Sequence, residues 1–167
     1  ISVNRGINDK IFSHKGMGLV ADIFNMDDLD RIEGGSAIGH VRYSTTGDSV
    51  ITNAQPFVVN HRHRSYALAH NGNLVNAHII REELEEKGSI FQTTMDSEVF
   101  LHLFIKNLVS GDYESAVLNA VSRIEGAYSM ILLTCKGEII GMKDPNGFRP
   151  LALGKLNGHY VLASETC

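Results

Sequence analysis

Three polar segments of this 167-residue chain carry residue types that could do chemistry at the spacing found here. The first, residues 39–47, places Arg42 at the end of a strand-like run. A guanidinium group in that position can bind a carboxylate through its planar, two-pronged donor face. The ordinary alternative is that Arg42 pairs with a surface acid, and the spacing alone favours that alternative.

The second segment, residues 70–73, contains an Asn71-Gly72 step at the end of another strand-like run. Asn-Gly is foremost a turn signal, so a hairpin turn without any function is the first interpretation. The functional interpretation is that the Asn71 amide and the Gly72 backbone N–H point together at a developing oxyanion. The missing side chain of Gly72 would then let a substrate approach the backbone closely.

The third segment, residues 93–98, places Asp96 directly before an apolar run at helical spacing. Helix capping is the ordinary explanation for an Asp in that position. Alternatively, the Asp96 carboxylate binds an ammonium group, and the start of the helix stabilises its charged form.

Each segment is weak alone, but together they describe one pocket. A cation for a carboxylate, an acid for an ammonium group and an amide pair for an oxyanion suit a free amino acid attacked at its side-chain carbonyl. A nucleophile is missing, because Cys135 follows an apolar run typical of a buried core thiol and Cys167 is the last residue. The histidines show no metal-ligand spacing, so no metal site is expected.

The elements that must position these residues follow from periodicity and turn signals. Short strands are predicted at 10–15, 37–43, 56–59, 65–70, 128–134, 138–143, 151–154 and 160–164, with a hairpin turn at 61–64 and short helical turns within 22–33. Helices are predicted from Asn76 to Lys87, from 96 to 108 and from 113 to 124, with Ile79, Ile80 and Leu84 on the buried side of the first. Strands, then helices, then strands predict an α+β fold with mainly antiparallel sheet.

Composition excludes several classes of protein. Hydrophobic residues make up 43% and charged residues 20%, with a net charge of −4, which is typical of a globular domain and not of a disordered chain. The net negative charge does not favour a protein that binds nucleic acid. No apolar run is long enough for a membrane span, and no signal peptide is evident. Two cysteines cannot form a disulfide framework, so a cytoplasmic location is expected.

Five segments together resemble class II, N-terminal-nucleophile glutamine amidotransferases. They are residues 13–20 (Ser-His-Lys-Gly-Met-Gly-Leu-Val), 39–45 (Gly-His-Val-Arg-Tyr-Ser-Thr), 69–76 (Ala-His-Asn-Gly-Asn-Leu-Val-Asn), 96–98 (Asp-Ser-Glu) and 144–151 (Asp-Pro-Asn-Gly-Phe-Arg-Pro-Leu). The resemblance covers the whole chain and is closest to the glutaminase domain of the amidophosphoribosyltransferase family, for which the last segment is the most discriminating.

The resemblance implies a four-layer αββα sandwich of two antiparallel sheets, incomplete at the N-terminus, formed by residues 1–167 as one partial domain. It also implies roles for individual residues. Arg42 would bind the α-carboxylate of glutamine and Asp96 its α-ammonium group, while Asn71 and Gly72 would form the oxyanion hole. Thr45 would line the same pocket, and Tyr43 would lie in the loop that links it to a second active site.

The activity implied by the resemblance is the hydrolysis of glutamine, whose ammonia displaces pyrophosphate from phosphoribosyl pyrophosphate and gives phosphoribosylamine, the first step of purine synthesis. The family's nucleophile is an N-terminal cysteine whose free α-amine serves as its base. That cysteine is expected upstream of Ile1, and residues 1–167 alone are expected to be inactive. The alternative is an amino-acid-binding or regulatory relative without a nucleophile.

The resemblance also sets expectations for cofactors and partners. No cofactor is expected in this domain, and Mg is expected in a phosphoribosyltransferase domain that would follow Cys167. Glutamine and phosphoribosyl pyrophosphate are the expected small-molecule partners, the second through that following domain. A homo-oligomer is expected, with neither nucleic acid nor membrane as a partner.

Overall fold

The computed structural model describes residues 1–41 and 50–166. Its strands are β1 (Ser2–Asn4), β2 (Ile11–Ser13), β3 (Ser36–Ile38), β4 (Phe57–His61), β5 (Arg64–Leu74), β6 (Gly126–Leu133), β7 (Ile139–Lys143), β8 (Ala152–Leu156) and β9 (His159–Ala163). Its helices are α1 (Val20–Ile23), α2 (Met26–Arg31), α3 (Ala77–Glu86), α4 (Asp96–Asn107) and α5 (Tyr113–Val121). No helix among the described residues is long and apolar enough to cross a bilayer.

Every strand pair in the described residues is antiparallel. A four-stranded sheet has the order β4-β5-β6-β7, a three-stranded sheet has the order β2-β1-β3, and β8 and β9 form a hairpin. The longest ladder joins β5 to β6 without a break, from Ala67 opposite Leu133 to Leu74 opposite Gly126. This unbroken register fixes which face of the four-stranded sheet each β5 side chain occupies.

One face of the four-stranded sheet is covered by α3, α4 and α5. Tyr66, Leu68 and Leu74 alternate along β5 and pack into the same core as the helical residues Phe100 and Phe104. Helix α3 adds Ile80 and Leu84, one helical turn apart. The prediction that Ile79 is also buried is wrong, since 51% of it is exposed. Adjacent helical residues lie about 100° apart, so Ile79 falls outside the buried stripe.

The opposite face of the four-stranded sheet packs against the three-stranded sheet. Ala67 and Ala69 of β5 form a second buried cluster with Leu133 and with Ile38 of β3. Across this interface the amide nitrogen of Asn4 donates to the carbonyl oxygen of Cys135 at 2.7 Å. Two sheets packed face to face, with helices outside them, confirm the predicted α+β sandwich.

The far side of the three-stranded sheet carries the thinnest layer. Helices α1 and α2 lie in the connection between β2 and β3, and neither contributes a buried residue. Val3 is nevertheless buried, and Gly34, which follows α2, lies so close to Val3 and to the backbone of Asn4 that a Cβ atom would not fit there. The connection that contains α2 therefore helps to cover the central strand of this sheet.

The elements follow the sequence prediction closely, but several strands differ. The predicted turn at 61–64 is a tight hairpin in which Arg62 has a φ of 54° and His61 pairs with Arg64. Strand β1 was not predicted, β3 ends at Ile38 so that residues 39–41 are not strand, and β5 continues to Leu74 instead of ending at residue 70. The predicted strand residues 42 and 43 lie outside the described residues.

Candidate active site

Strand β5 runs straight through the Asn71-Gly72 step. Asn71 pairs with Ser129 and Gly72 with Tyr128, and the strand ends only at Leu74. The interpretation of this step as a hairpin turn is therefore wrong. The local turn preference of Asn-Gly is overridden because β6 supplies a complete ladder partner on both sides of the step.

Gly72 is required for packing between the two strands. Its φ is 145°, and a Cβ atom there would run into the carbonyl oxygen of Ala127 and lie 2.7 Å from the Cα atom of Tyr128. Gly126, opposite Leu74, meets the same obstacle at the carbonyl oxygen of Asn73. Two glycines therefore let β5 and β6 approach closely beside Asn71, and this leaves the backbone of Gly72 without a side chain over it.

Asn71 lies on the same face of β5 as Ala67 and Ala69, since side chains alternate along an unbroken strand. It is exposed, and its side-chain amide makes no hydrogen bond to any residue in ranges 1–41 and 50–166. An amide with free donors beside a bare glycine backbone has the chemical features of an oxyanion-binding pair.

Asp96 is the first residue of α4, and its carboxylate faces the strand instead of capping the helix. The N-cap position is Met95, which makes no side-chain cap. One carboxylate oxygen of Asp96 accepts the Leu74 backbone N–H at 2.8 Å, and the other lies 3.4 Å from Nδ1 of His70. The capping interpretation is therefore wrong, because α4 begins next to the end of β5 and offers Asp96 donors from that strand.

The Asp96 contacts bracket the Asn71-Gly72 step. His70 precedes the step and Leu74 follows it by two residues, so one carboxylate is fixed to both ends of the segment. The Asp96 side chain is 25% exposed, which leaves part of the carboxylate open to a ligand. The structure thus brings together the predicted ammonium-binding residue and the strand segment of the predicted oxyanion pair.

The Asp96 carboxylate is held in its charged form. Burial acts to raise the pKa of Asp96, but the His70 ring and the backbone N–H groups of Leu74 and Ser97 outweigh it and hold that pKa below its ordinary value. An ionised carboxylate is the form that binds an ammonium group. Its charge is therefore present over the whole neutral range of pH.

The residues that lead into Asp96 are fixed by two side chains that the sequence did not single out. Glu98 is 2% exposed, and its carboxylate accepts the N–H groups of Gln92 and Thr93, both at 2.8 Å, and the Thr93 hydroxyl at 2.7 Å. The guanidinium group of Arg81 donates to the carbonyl oxygens of Thr93 and Met95. No local pattern could have identified the Arg81 contacts, because Arg81 lies on a different element, α3.

Three of the predicted site residues cannot be placed. Arg42, Tyr43 and Thr45 lie outside the described residues, so their assigned roles stay predictions. Cys135 is confirmed as a core thiol, because it is 3% exposed and its sulfur lies 3.4 Å from the Tyr113 hydroxyl. It is therefore not placed to attack a substrate at Asn71.

The segment 144–151 has a structural centre in Asp144. This buried carboxylate accepts backbone N–H groups from Tyr128, Asn146, Phe148 and Arg149, at 3.0–3.4 Å. Burial acts to raise the pKa of Asp144, but these donors hold it below its ordinary value. Tyr128 is the residue opposite Gly72, so this segment supports the strand that lies beside the candidate site.

A cavity of about 780 Å³ lies elsewhere, between α5 and β7. Its walls are mostly apolar and include Val117, Leu118 and Ile140, and none of the described candidate site residues lines it. Because Asn71, Gly72 and Asp96 are not among its lining residues, this cavity is not the site described above.

Comparison with known proteins identifies the family of this chain. Residues 40–167 match the glutamine amidotransferase domain family. The chain belongs to the glutamine amidotransferase domain family. Among the curated relatives of this glutamine amidotransferase domain, amidophosphoribosyltransferase 2 of Arabidopsis thaliana, a chloroplastic protein, is 48% identical over 153 residues. The amidophosphoribosyltransferase of Bacillus subtilis is 44% identical over 160 residues.

Solved structures show the same fold. The B. subtilis glutamine phosphoribosylpyrophosphate amidotransferase complexed with ADP and GMP superposes with a TM-score of 0.88 at 41% identity and covers 99% of this domain. A structure described as the allosteric regulatory enzyme of purine biosynthesis gives a TM-score of 0.91 at 42% identity. The two curated matches include 91% and 95% of this domain. The domain spans only 27% and 33% of the length of those two relatives and 35% of each solved chain.

Proposed function

We propose that this domain is the glutaminase part of an amidophosphoribosyltransferase. It would release ammonia from the side-chain amide of glutamine for the synthesis of phosphoribosylamine from phosphoribosyl pyrophosphate. The observation that carries the proposal is the position of the Asp96 carboxylate, which is fixed to both sides of the Asn71-Gly72 step. The family match and the names of the relatives support the same reaction.

In this proposal the two ends of glutamine are recognised by different charges. The Asp96 carboxylate binds the α-ammonium group, and Arg42 binds the α-carboxylate. The side-chain carbonyl then lies at Asn71 and Gly72, whose amide and backbone N–H stabilise the tetrahedral oxyanion. These donors act mainly in the transition state, because the charge on the oxygen develops only when the nucleophile attacks.

The nucleophile in this proposal is the N-terminal cysteine implied by the resemblance, with its own α-amine as the base. Its thiolate attacks the amide carbon, the amine supplies the proton with which ammonia leaves, and water releases glutamate from the thioester. Ammonia then displaces pyrophosphate in the phosphoribosyltransferase part of the protein. The cytoplasmic location, the homo-oligomer and the magnesium of that part stay predictions.

The test is steady-state kinetics of the complete enzyme with glutamine and, separately, with ammonia. Asp96→Ala and Arg42→Ala should each raise the KM for glutamine strongly, because truncating one partner of a buried charge pair costs about 2–5 kcal/mol. Asn71→Ala should lower kcat by about 10²–10³, the usual effect of removing one oxyanion donor. Synthesis from ammonia does not require glutamine and reports that each variant is folded.

Two results would contradict the proposal. If Asp96→Ala left the glutamine KM unchanged in a folded protein, the carboxylate would not bind the ammonium group. If Asn71→Ala changed only KM, Asn71 would be a ground-state contact. A protein that binds glutamine without releasing ammonia would favour the alternative of an amino-acid-binding relative.

A further inference from the structure

We infer that His70 is a positioning residue that sets where the Asp96 carboxylate stands relative to the Asn71-Gly72 step, an inference that rests on the proposed function. The two residues come from different elements, since His70 lies within β5 and Asp96 opens α4. Their contact is the 3.4 Å approach of His70 Nδ1 to an Asp96 carboxylate oxygen. His70 immediately precedes Asn71, so it couples the ammonium-binding group to the oxyanion donor.

The backbone of His70 is fixed independently of its ring. Its N–H donates to the side-chain oxygen of Gln55 at 2.6 Å, and its carbonyl oxygen lies 3.1 Å from Nε2 of His40. The ring is also confined, because only 2% of the side chain is exposed. A residue held at both its backbone and its side chain can transmit a defined distance to Asp96.

The unpaired nitrogen of the ring indicates how the contact works. Nε2 of His70 is buried and has no hydrogen-bond partner among the described residues. Within residues 1–41 and 50–166, a proton on Nε2 would therefore be a buried donor that meets no acceptor, which is costly. A proton on Nδ1, in contrast, can be donated toward the Asp96 carboxylate.

In this arrangement the His70 ring and the Leu74 N–H hold Asp96 on either side of the oxyanion pair, and the Ser97 N–H contacts the same carboxylate from α4. Leu74 holds one carboxylate oxygen through the backbone, which no side-chain substitution removes. The Ser97 contact is also through the backbone, so His70 is the partner among these three that a side-chain substitution can remove. Without the His70 contact only backbone donors hold the carboxylate, and the second carboxylate oxygen, which faces His70, loses its partner from β5.

The test uses two isosteric replacements of His70 in the complete enzyme. His70→Asn places an amide nitrogen near the position of Nδ1, whereas His70→Gln places it near the position of Nε2 and leaves Asp96 without that donor. His70→Gln should raise the glutamine KM about 10-fold to 100-fold, the loss expected for a hydrogen bond to a charged group. His70→Asn should restore a KM near that of the unchanged enzyme, and kcat should change less in both.

A double variant separates positioning from a general structural role. If His70 acts through Asp96, the glutamine KM of His70→Gln combined with Asp96→Asn should equal that of Asp96→Asn alone. The matched control is His63→Gln on the exposed hairpin turn, which should leave KM unchanged. Additive effects in the double variant, or an equal rise of KM in His70→Asn and His70→Gln, would overturn the inference.

The two proposals fail in different ways. If Asp96→Asn itself leaves the glutamine KM unchanged, the proposed function of this site fails. If Asp96→Asn raises KM while His70→Gln does not, only the role of His70 fails. Thermal unfolding of each variant identifies a folding defect, and if His70→Gln does not fold, His70→Asn still decides. A near-unchanged KM in that variant supports positioning by the Nδ1 donor, and a KM as high as that of Asp96→Asn overturns it.

Discussion

Replacing Glu98 by Gln should loosen the loop that delivers Asp96 to the site. The Glu98 carboxylate accepts three hydrogen bonds from Gln92 and Thr93, and its side chain is almost completely buried. An amide of the same shape has only one acceptor oxygen. Whichever way it is turned, its NH₂ group must face at least one of these N–H donors. One buried donor then loses its partner, which costs about 1–3 kcal/mol.

The measurement is the thermal unfolding temperature of the protein against that of Glu82→Gln, an exposed change of the same chemistry on α3. For a domain of this size, each kcal/mol shifts the midpoint by about 2–4 °C. Burial acts to raise the pKa of Glu98, but His102, the N–H of Gln92 and Thr93 outweigh it and hold that pKa below its ordinary value. The stabilisation is therefore present above the unfolded pKa and is lost as pH falls through the folded pKa.

The difference in unfolding temperature between Glu98→Gln and the unchanged protein should thus be largest at neutral pH and should narrow in acid. Equal unfolding temperatures for Glu98→Gln and Glu82→Gln at neutral pH would refute the reasoning. A difference that stayed constant down to acid pH would show that lost packing, and not the lost carboxylate, is the cause.

Three further predictions concern the surroundings of the site. Gly72→Ala should lower the unfolding temperature well below that of Gly154→Ala. A Cβ atom at position 72 collides with β6, whereas a Cβ atom at position 154 has no neighbouring atom within 4 Å. Asp144→Asn should destabilise the protein at neutral pH, as measured by its unfolding temperature at several pH values. The difference in unfolding temperature from the unchanged protein should narrow in acid, because the pKa of Asp144 is lowered in the fold and the stabilisation by its carboxylate is lost only there. Cys135 should stay unlabelled by a glutamine-like electrophile such as diazo-oxo-norleucine in mass spectra of the folded protein, because it is buried against Tyr113.

Most of the fold could be predicted because most of its helices and strands carry a recognisable pattern in their own residues. Helix α4 presents apolar residues at helical spacing, and α3 ends with Gly88 directly after its last turn, at a φ of 84°. Strand β1 could not be predicted, since its three residues are too few for a periodic pattern and are defined only by pairing with β2 and β3. For Asn76 the sequence predicted the position but not the contacts. It stands at the start of α3, but its side chain bonds to the backbone of Arg123 and Glu125 instead of capping the helix.

The candidate site divides in the same way between residue type and contact. The sequence singled out Asn71, Gly72 and Asp96 as groups suited to an oxyanion and an ammonium group. It assigned Asn71 and Asp96 competing local roles, a turn and a cap, that the structure replaces with contacts between β5, β6 and α4. Such contacts depend on which elements become neighbours, and a local pattern carries no information about that. His70 was missed as a positioning residue for the same reason.

The segment 144–151 was the most discriminating in sequence, yet its described role is to support the site and not to line it. Tyr128 stands opposite Gly72 in the ladder, and it exchanges two hydrogen bonds with Asp144, one through the Asp144 backbone N–H and one through its carboxylate. Gly72 tolerates no side chain toward this part of β6. The position of β6 therefore fixes how closely β5 can approach it beside Asn71. A sequence signature of the family can thus mark the residues that hold a strand in place as strongly as those that touch a substrate.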